Sequence, residues 1–148
     1  MNDSSEINGV FAAALTPLHE NGSLAEEELP GLLKFLAQRG ANGALLLGTT
    51  GEGPSFSPEE RIRIVRAGMQ IRREFPHFKI LVGSGTPSLE ETISINKAVF
   101  DLGVDGVVVL PPYFFRNAPE AGIFEWFSQA LRRSAPTGKA FLVYHIPR

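Results

Sequence analysis

Cysteine is absent from the sequence, which excludes a disulfide framework, a thiolate metal site and a cysteine nucleophile and fits a reducing compartment. Long apolar runs are missing as well. The longest, around residues 107–110, is strand-sized, far short of the roughly 18 residues that span a bilayer. Residues 1–6 are polar and acidic, with neither a basic start nor an apolar stretch, so they do not read as a signal peptide. Neither sign of charge dominates: Lys and Arg total 14 against 16 Asp and Glu, and the basic residues are scattered. That excludes the basic field of a nucleic-acid binder. A cytoplasmic protein with no nucleic-acid or membrane partner is expected.

What is present is the mix of a globular protein, 43% hydrophobic and 20% charged, in 148 residues, enough for one ordinary domain with a real core. Two kinds of segment alternate. Short apolar runs rich in Val, Ile, Leu and Ala occur at 9–15, 43–47, 80–83, 106–110 and 140–144. None shows polar alternation, so these runs predict strands of a parallel sheet covered on both faces. Between them lie segments with helical spacing. Ser23–Glu26, Ser57–Glu60 and Ser88–Glu91 each have capping-box pattern, Pro58 suits a first helical position, and Ala118-Pro119-Glu120 opens a fourth helix. Gly40, Gly103 and Gly138 fall where helices should stop. In the second helix Ile62, Val65, Met69 and Ile71 are expected to face the core, and Arg61, Arg63, Arg66, Arg72 and Arg73 the water. Pro30-Gly31 predicts a kink or restart in the first helix.

The sum is α/β, with five strands and four helices in repeats of about thirty residues, the size of a βα unit. Periodicity leaves two architectures open: a complete open sheet, or part of a closed barrel, which takes eight units and about 250 residues.

Chemistry concentrates at strand C-terminal ends. Gly48-Thr49-Thr50-Gly51-Glu52-Gly53 follows the second strand, and offers hydroxyls and backbone N–H groups in a tight turn, an arrangement that can hold a small anion such as a carboxylate. A plain βα turn would use the same glycines. No Gly-Lys-Ser/Thr follows, which disfavours a P-loop. Thr16-Pro17, Pro111-Pro112-Tyr113-Phe114 and Tyr144-His145-Ile146-Pro147 end the first, fourth and fifth strands. In an α/β barrel such ends meet at one site.

Those four motifs, in this order and spacing from Gly9 to Pro147, resemble the dihydrodipicolinate synthase / N-acetylneuraminate lyase family. The resemblance implies a TIM (β/α)8 barrel, of which residues 1–148 would be the N-terminal portion: the first five βα units, the fifth a strand only. It implies lyase or aldolase chemistry on pyruvate or a related 2-keto acid through a Schiff base, no metal or organic cofactor, and a homotetramer. It assigns Thr49 and Thr50 to the substrate carboxylate, with Thr16 and Gly51 completing the substrate-binding set. It assigns catalysis to Tyr144, as the proton-shuttling phenol, and to Thr49, in the proton relay.

The resemblance places the Schiff-base lysine on a sixth strand, beyond Arg148, and none of Lys34, Lys79, Lys97 and Lys139 matches a site motif. The chain alone is therefore expected to be inactive in that chemistry, as a fragment or one piece of a split protein. A non-catalytic fragment or homologue that binds a keto acid or a partner subunit is the alternative. Phe114 stands where the synthases have a second tyrosine, His145 where many members have asparagine, and Arg148 one residue before the synthase arginine. These departures set a family aldolase or dehydratase beside the synthase.

Overall fold

A computed structural model describes residues 7–146, so the expectations for Pro147 and Arg148 lie outside the described residues. Five strands, β1 (Phe11–Ala13), β2 (Gly43–Leu46), β3 (Lys79–Gly83), β4 (Gly106–Val109) and β5 (Ala140–Val143), alternate with four helices. These are α1 (Leu29–Gln38), α2 (Pro58–Gly68), α3 (Leu89–Asp101) and α4 (Glu120–Ser134). Every predicted strand is found. The first is shorter than 9–15 at both ends; at its start Asn42 Oδ1 accepts from the Val10 N–H at 2.8 Å, ahead of the ladder.

All five strands are parallel, and their spatial order is their sequence order. That decides between the two architectures. An open doubly wound sheet reverses direction at a switch point. Here winding never reverses, as in the wall of a barrel, and the chain is a partial (β/α)8 barrel.

The two faces of the sheet differ. Ala44, Leu46, Ile80, Val82, Val107 and Val109 point to the helix layer and are essentially buried, packed with Leu33, Ile64, Val65, Ile95 and Val99. On the opposite face burial is less complete: Leu81 is buried, Leu45 and Val108 are intermediate, and Leu15 and Leu142 are exposed.

Helix starts follow local chemistry. Ser57 and Glu60 form the expected capping box, and the Ser88 hydroxyl accepts from the Glu91 N–H. The box expected at Ser23 does not form. The Ser23 hydroxyl bonds Asn21 instead, within a short hairpin where Leu18 pairs with Leu24. At Pro30 the structure shows the restart and not the kink. A 3-10 turn covers Glu26–Glu28 and α1 begins at Leu29, which places Pro30 in the first turn, where its missing N–H costs nothing. Gly40 and Gly103 have positive φ directly after the caps of α1 and α3 and stop those helices as expected, whereas α4 already ends at Ser134, where Ala135 turns extended ahead of Pro136, and Gly138 lies in the turn beyond.

Two arginines assigned to the water are not there. Arg61 is 5% exposed, its Nε–H donating to Phe56 O at 3.1 Å, while Ile64 rather than Ile62 fills the core beside Val65. Arg72 is half-buried and pairs with Asp105. Asp105, just before β4, also accepts from the Ile80 N–H at 2.7 Å and lies 3.4 Å from Lys79 Nζ. One carboxylate thus ties the turn after α2 to the starts of β3 and β4.

On the outer layer Arg133 of α4 donates to both carboxylate oxygens of Glu90 in α3, at 2.7 Å each. These hydrogen bonds hold the Glu90 carboxyl below the usual carboxylate range. A lowered folded-state pKa stabilises above the unfolded-state pKa, and the contribution is lost as pH falls through the folded value. Glu90→Gln is therefore expected to lower Tm slightly at neutral pH. The difference from the parent should vanish in thermal melts carried below the carboxylate range; a pH-independent difference would contradict this origin.

Candidate active site

The C-terminal ends of the strands carry the expected site residues, and the loop after β2 is their centre. Leu47 and Glu52, both with positive φ, bracket the tetrapeptide Gly48-Thr49-Thr50-Gly51. Internal hydrogen bonds, from Glu52 N to Thr49 O at 3.2 Å and from Gly53 N to Gly48 O at 3.3 Å, close it into a compact turn. Thr49 and Thr50 are exposed, and among the described residues their backbone N–H groups donate to no protein acceptor. Successive free amides beside hydroxyls suit an incoming anion.

Thr16 reaches this turn from the end of β1. Its hydroxyl donates to Gly51 O at 2.7 Å and braces the loop against the neighbouring strand end. Gly51 is buried, and a Cβ there would meet Ala14 O at 2.8 Å, so the loop seats on β1 only with glycine at this position. Tyr144 enters from the other side: its N–H donates to Val109 O at 2.9 Å, continuing the β4–β5 ladder by one residue past the strand.

A cavity of about 280 Å³ joins the two sides, with Thr49, Glu52, Arg61, Leu110 and Tyr144 in its lining. Tyr144 also borders a larger cavity of about 770 Å³, beside Tyr113, Arg116 and His145. The structure therefore brings Thr49 and Tyr144 to one cavity, links Thr16 and Gly51 to it by a hydrogen bond, and leaves Thr50 exposed next to Thr49. Arg61 is the residue that sequence reasoning missed. Helical periodicity put it on the wet face, and the only available signal was its position four residues after the capping serine, beneath the loop. Phe114 is exposed and packs edge-to-face on Phe115.

Among the described residues no lysine stands near these strand ends. Lys79 and Lys139 are at the opposite ends of β3 and β5, Lys34 pairs with Glu74 on the helix layer, and Lys97 is exposed on α3. Among the same residues no three His, Cys, Asp or Glu side chains group as metal ligands, and no helix is long and apolar enough to cross a membrane.

Comparison with known proteins matches residues 6–148 to the dihydrodipicolinate synthetase family. An uncharacterized DapA-like lyase of Chloroflexus aurantiacus is 41% identical over 145 residues, 97% of this chain and 47% of the relative. The 4-hydroxy-tetrahydrodipicolinate synthase of Coxiella burnetii is 31% identical over 141 residues, 95% and 46% of the two chains. Among solved structures, the dihydrodipicolinate synthase of Acinetobacter baumannii complexed with pyruvate superposes with a TM-score of 0.86 at 25% identity, over 96% of this chain and 47% of the other. The N-acetylneuraminate lyase of Proteus mirabilis gives 0.85 at 29%, over 94% and 46%. The chain thus spans about half the length of the curated relatives it matches.

Proposed function

The chain belongs to the dihydrodipicolinate synthetase family, and from that premise we propose that its strand-end site receives pyruvate or a related 2-keto acid for Schiff-base lyase or aldolase chemistry. The observation that carries the reading is the single cavity shared by Thr49 and Tyr144, with unspent amides at Thr49 and at its exposed neighbour Thr50. In this reading the Thr49 and Thr50 hydroxyl and N–H groups hold the carboxylate and fix the keto carbon. Thr16 and Gly51 keep that clamp in register. The Tyr144 phenol moves protons on and off the reacting centre, with Thr49 as its relay. A positioned acid/base of this kind is worth about 10²–10⁴-fold in rate, and the clamp contributes by orientation. The assembled enzyme is a cytoplasmic homo-oligomer in this proposal.

The amine is the missing partner. A Schiff base needs a lysine at the strand ends, and Lys34, Lys79, Lys97 and Lys139 lie elsewhere. Treated with pyruvate and borohydride, the 148-residue chain is expected to keep its mass. A polypeptide continued through a sixth strand bearing the lysine is expected to gain the reduced pyruvyl adduct. An adduct on any of the four lysines would refute the first expectation, and its absence from the longer polypeptide would sink the enzymatic reading.

A further inference from the structure

The residue immediately before the Gly48–Gly51 turn adopts a conformation that its sequence does not favour. Leu47 has φ 57°, in the left-handed region, yet carries a full side chain and is 3% exposed. Glu52, at the other end of the turn, shares the positive φ but lies in solvent. Buried strain persists only where the surroundings over-determine it. Here two sets of contacts do so.

The first is backbone. A Cβ built at Gly53 or at Gly83 would collide with the Leu47 carbonyl oxygen, and one at Gly51 would come within 3.1 Å of Leu47 N. The end of β3 and the turn after the loop therefore press on this one residue at a range that only glycine permits. The second is the side chain. Leu46 and Leu47 are consecutive, yet both belong to the same core, which strict strand alternation forbids. The positive φ turns the Leu47 side chain back into the helix-facing layer, and the same rotation sets the direction in which the next peptides leave the strand.

We infer that Leu47 is the positioning residue of the carboxylate clamp. Its left-handed conformation, held by the close backbone approach of Gly53 and Gly83, orients the amides and hydroxyls of Thr49 and Thr50. The inference rests on the reading of those threonines as carboxylate holders, and it predicts that φ at position 47, rather than side-chain volume, governs binding.

Two substitutions separate φ from packing. Glycine accepts φ 57° without strain but empties the core site, whereas valine keeps apolar bulk and, being β-branched, resists positive φ. Both variants are expected to melt below the parent. Pyruvate affinity should stay within about threefold in Leu47→Gly and fall roughly tenfold or more in Leu47→Val, the scale of one lost charge-assisted hydrogen bond. A residue with a merely structural role would instead weaken binding in step with Tm in both. Hydrogen exchange over residues 47–56, read by mass spectrometry without ligand, judges the loop independently. Exchange should quicken there in Leu47→Val and not in Leu47→Gly. If the parent binds no pyruvate, the carboxylate reading fails while the exchange pattern still decides the role of Leu47. Should Leu47→Val fail to fold, Gly53→Ala pushes on the Leu47 carbonyl from outside and is expected to give the same faster exchange and weaker binding. Unchanged exchange and binding in the folded variant would overturn the inference.

Discussion

Replacing Asp105 by alanine is expected to lower the unfolding free energy by roughly 3–5 kcal/mol, the cost of breaking a mostly buried ion pair from one side. The Asp105 side chain is 13% exposed and faces Arg72, which is 28% exposed, together with the Ile80 N–H and Lys79. Its removal takes the shared acceptor from Arg72 and from the backbone donor at the start of β3. A partly desolvated guanidinium that has lost its counter-charge costs more than the few apolar contacts of an aspartate stem. Asp105→Asn should cost less, because an amide oxygen can still accept from Ile80. Urea unfolding of the two variants measures both. A loss under about 1 kcal/mol for alanine would place the pair in the class of weak surface ion pairs instead.

The second large effect is expected at the site. Thr49→Val removes a hydroxyl while keeping shape, so the turn should fold as before. If that hydroxyl and its neighbours hold a carboxylate, the loss is one charge-assisted hydrogen bond of about 1.5–3 kcal/mol. That corresponds to pyruvate binding weaker by roughly 10–100-fold. Calorimetric titration of the parent and Thr49→Val with pyruvate reads it. Equal affinities would remove Thr49 from the clamp, whatever becomes of Tyr144.

Much of this fold could be read from the residues because local chemistry and tertiary placement agree. The apolar runs at 43–47, 80–83, 106–110 and 140–144 become strands to within a residue at each end. Ser57 with Pro58 and Glu60, and Ser88 with Glu91, satisfy helix starts wherever they occur, so the surroundings had nothing to override. Ser23 failed for the opposite reason: Asn21 competes for its hydroxyl two residues away. Strand order lies beyond periodicity altogether, since each strand is apolar on both faces in either architecture. The site residues Thr16, Thr49 and Tyr144 were legible as polar groups at strand ends, and the convergence of Thr49 and Tyr144 on one cavity follows from the unreversed winding. Arg61 and Leu47 were not legible. The first is buried by a loop that folds back over α2, and the second owes its φ to glycines at positions 53 and 83 that nothing local connects to it.

The strand ends are proposed to take a 2-keto acid by its carboxylate, at Thr49 and Thr50, and every other functional assignment depends on that. Titrating pyruvate into the ¹⁵N-labelled chain and following the backbone amides tests it most directly. Saturable shifts are expected at Gly48, Thr49, Thr50 and Gly51, with Tyr144 responding and the Asp105 cluster at the far end of the strands silent. Saturable shifts centred anywhere else, or no shifts at all, would contradict it.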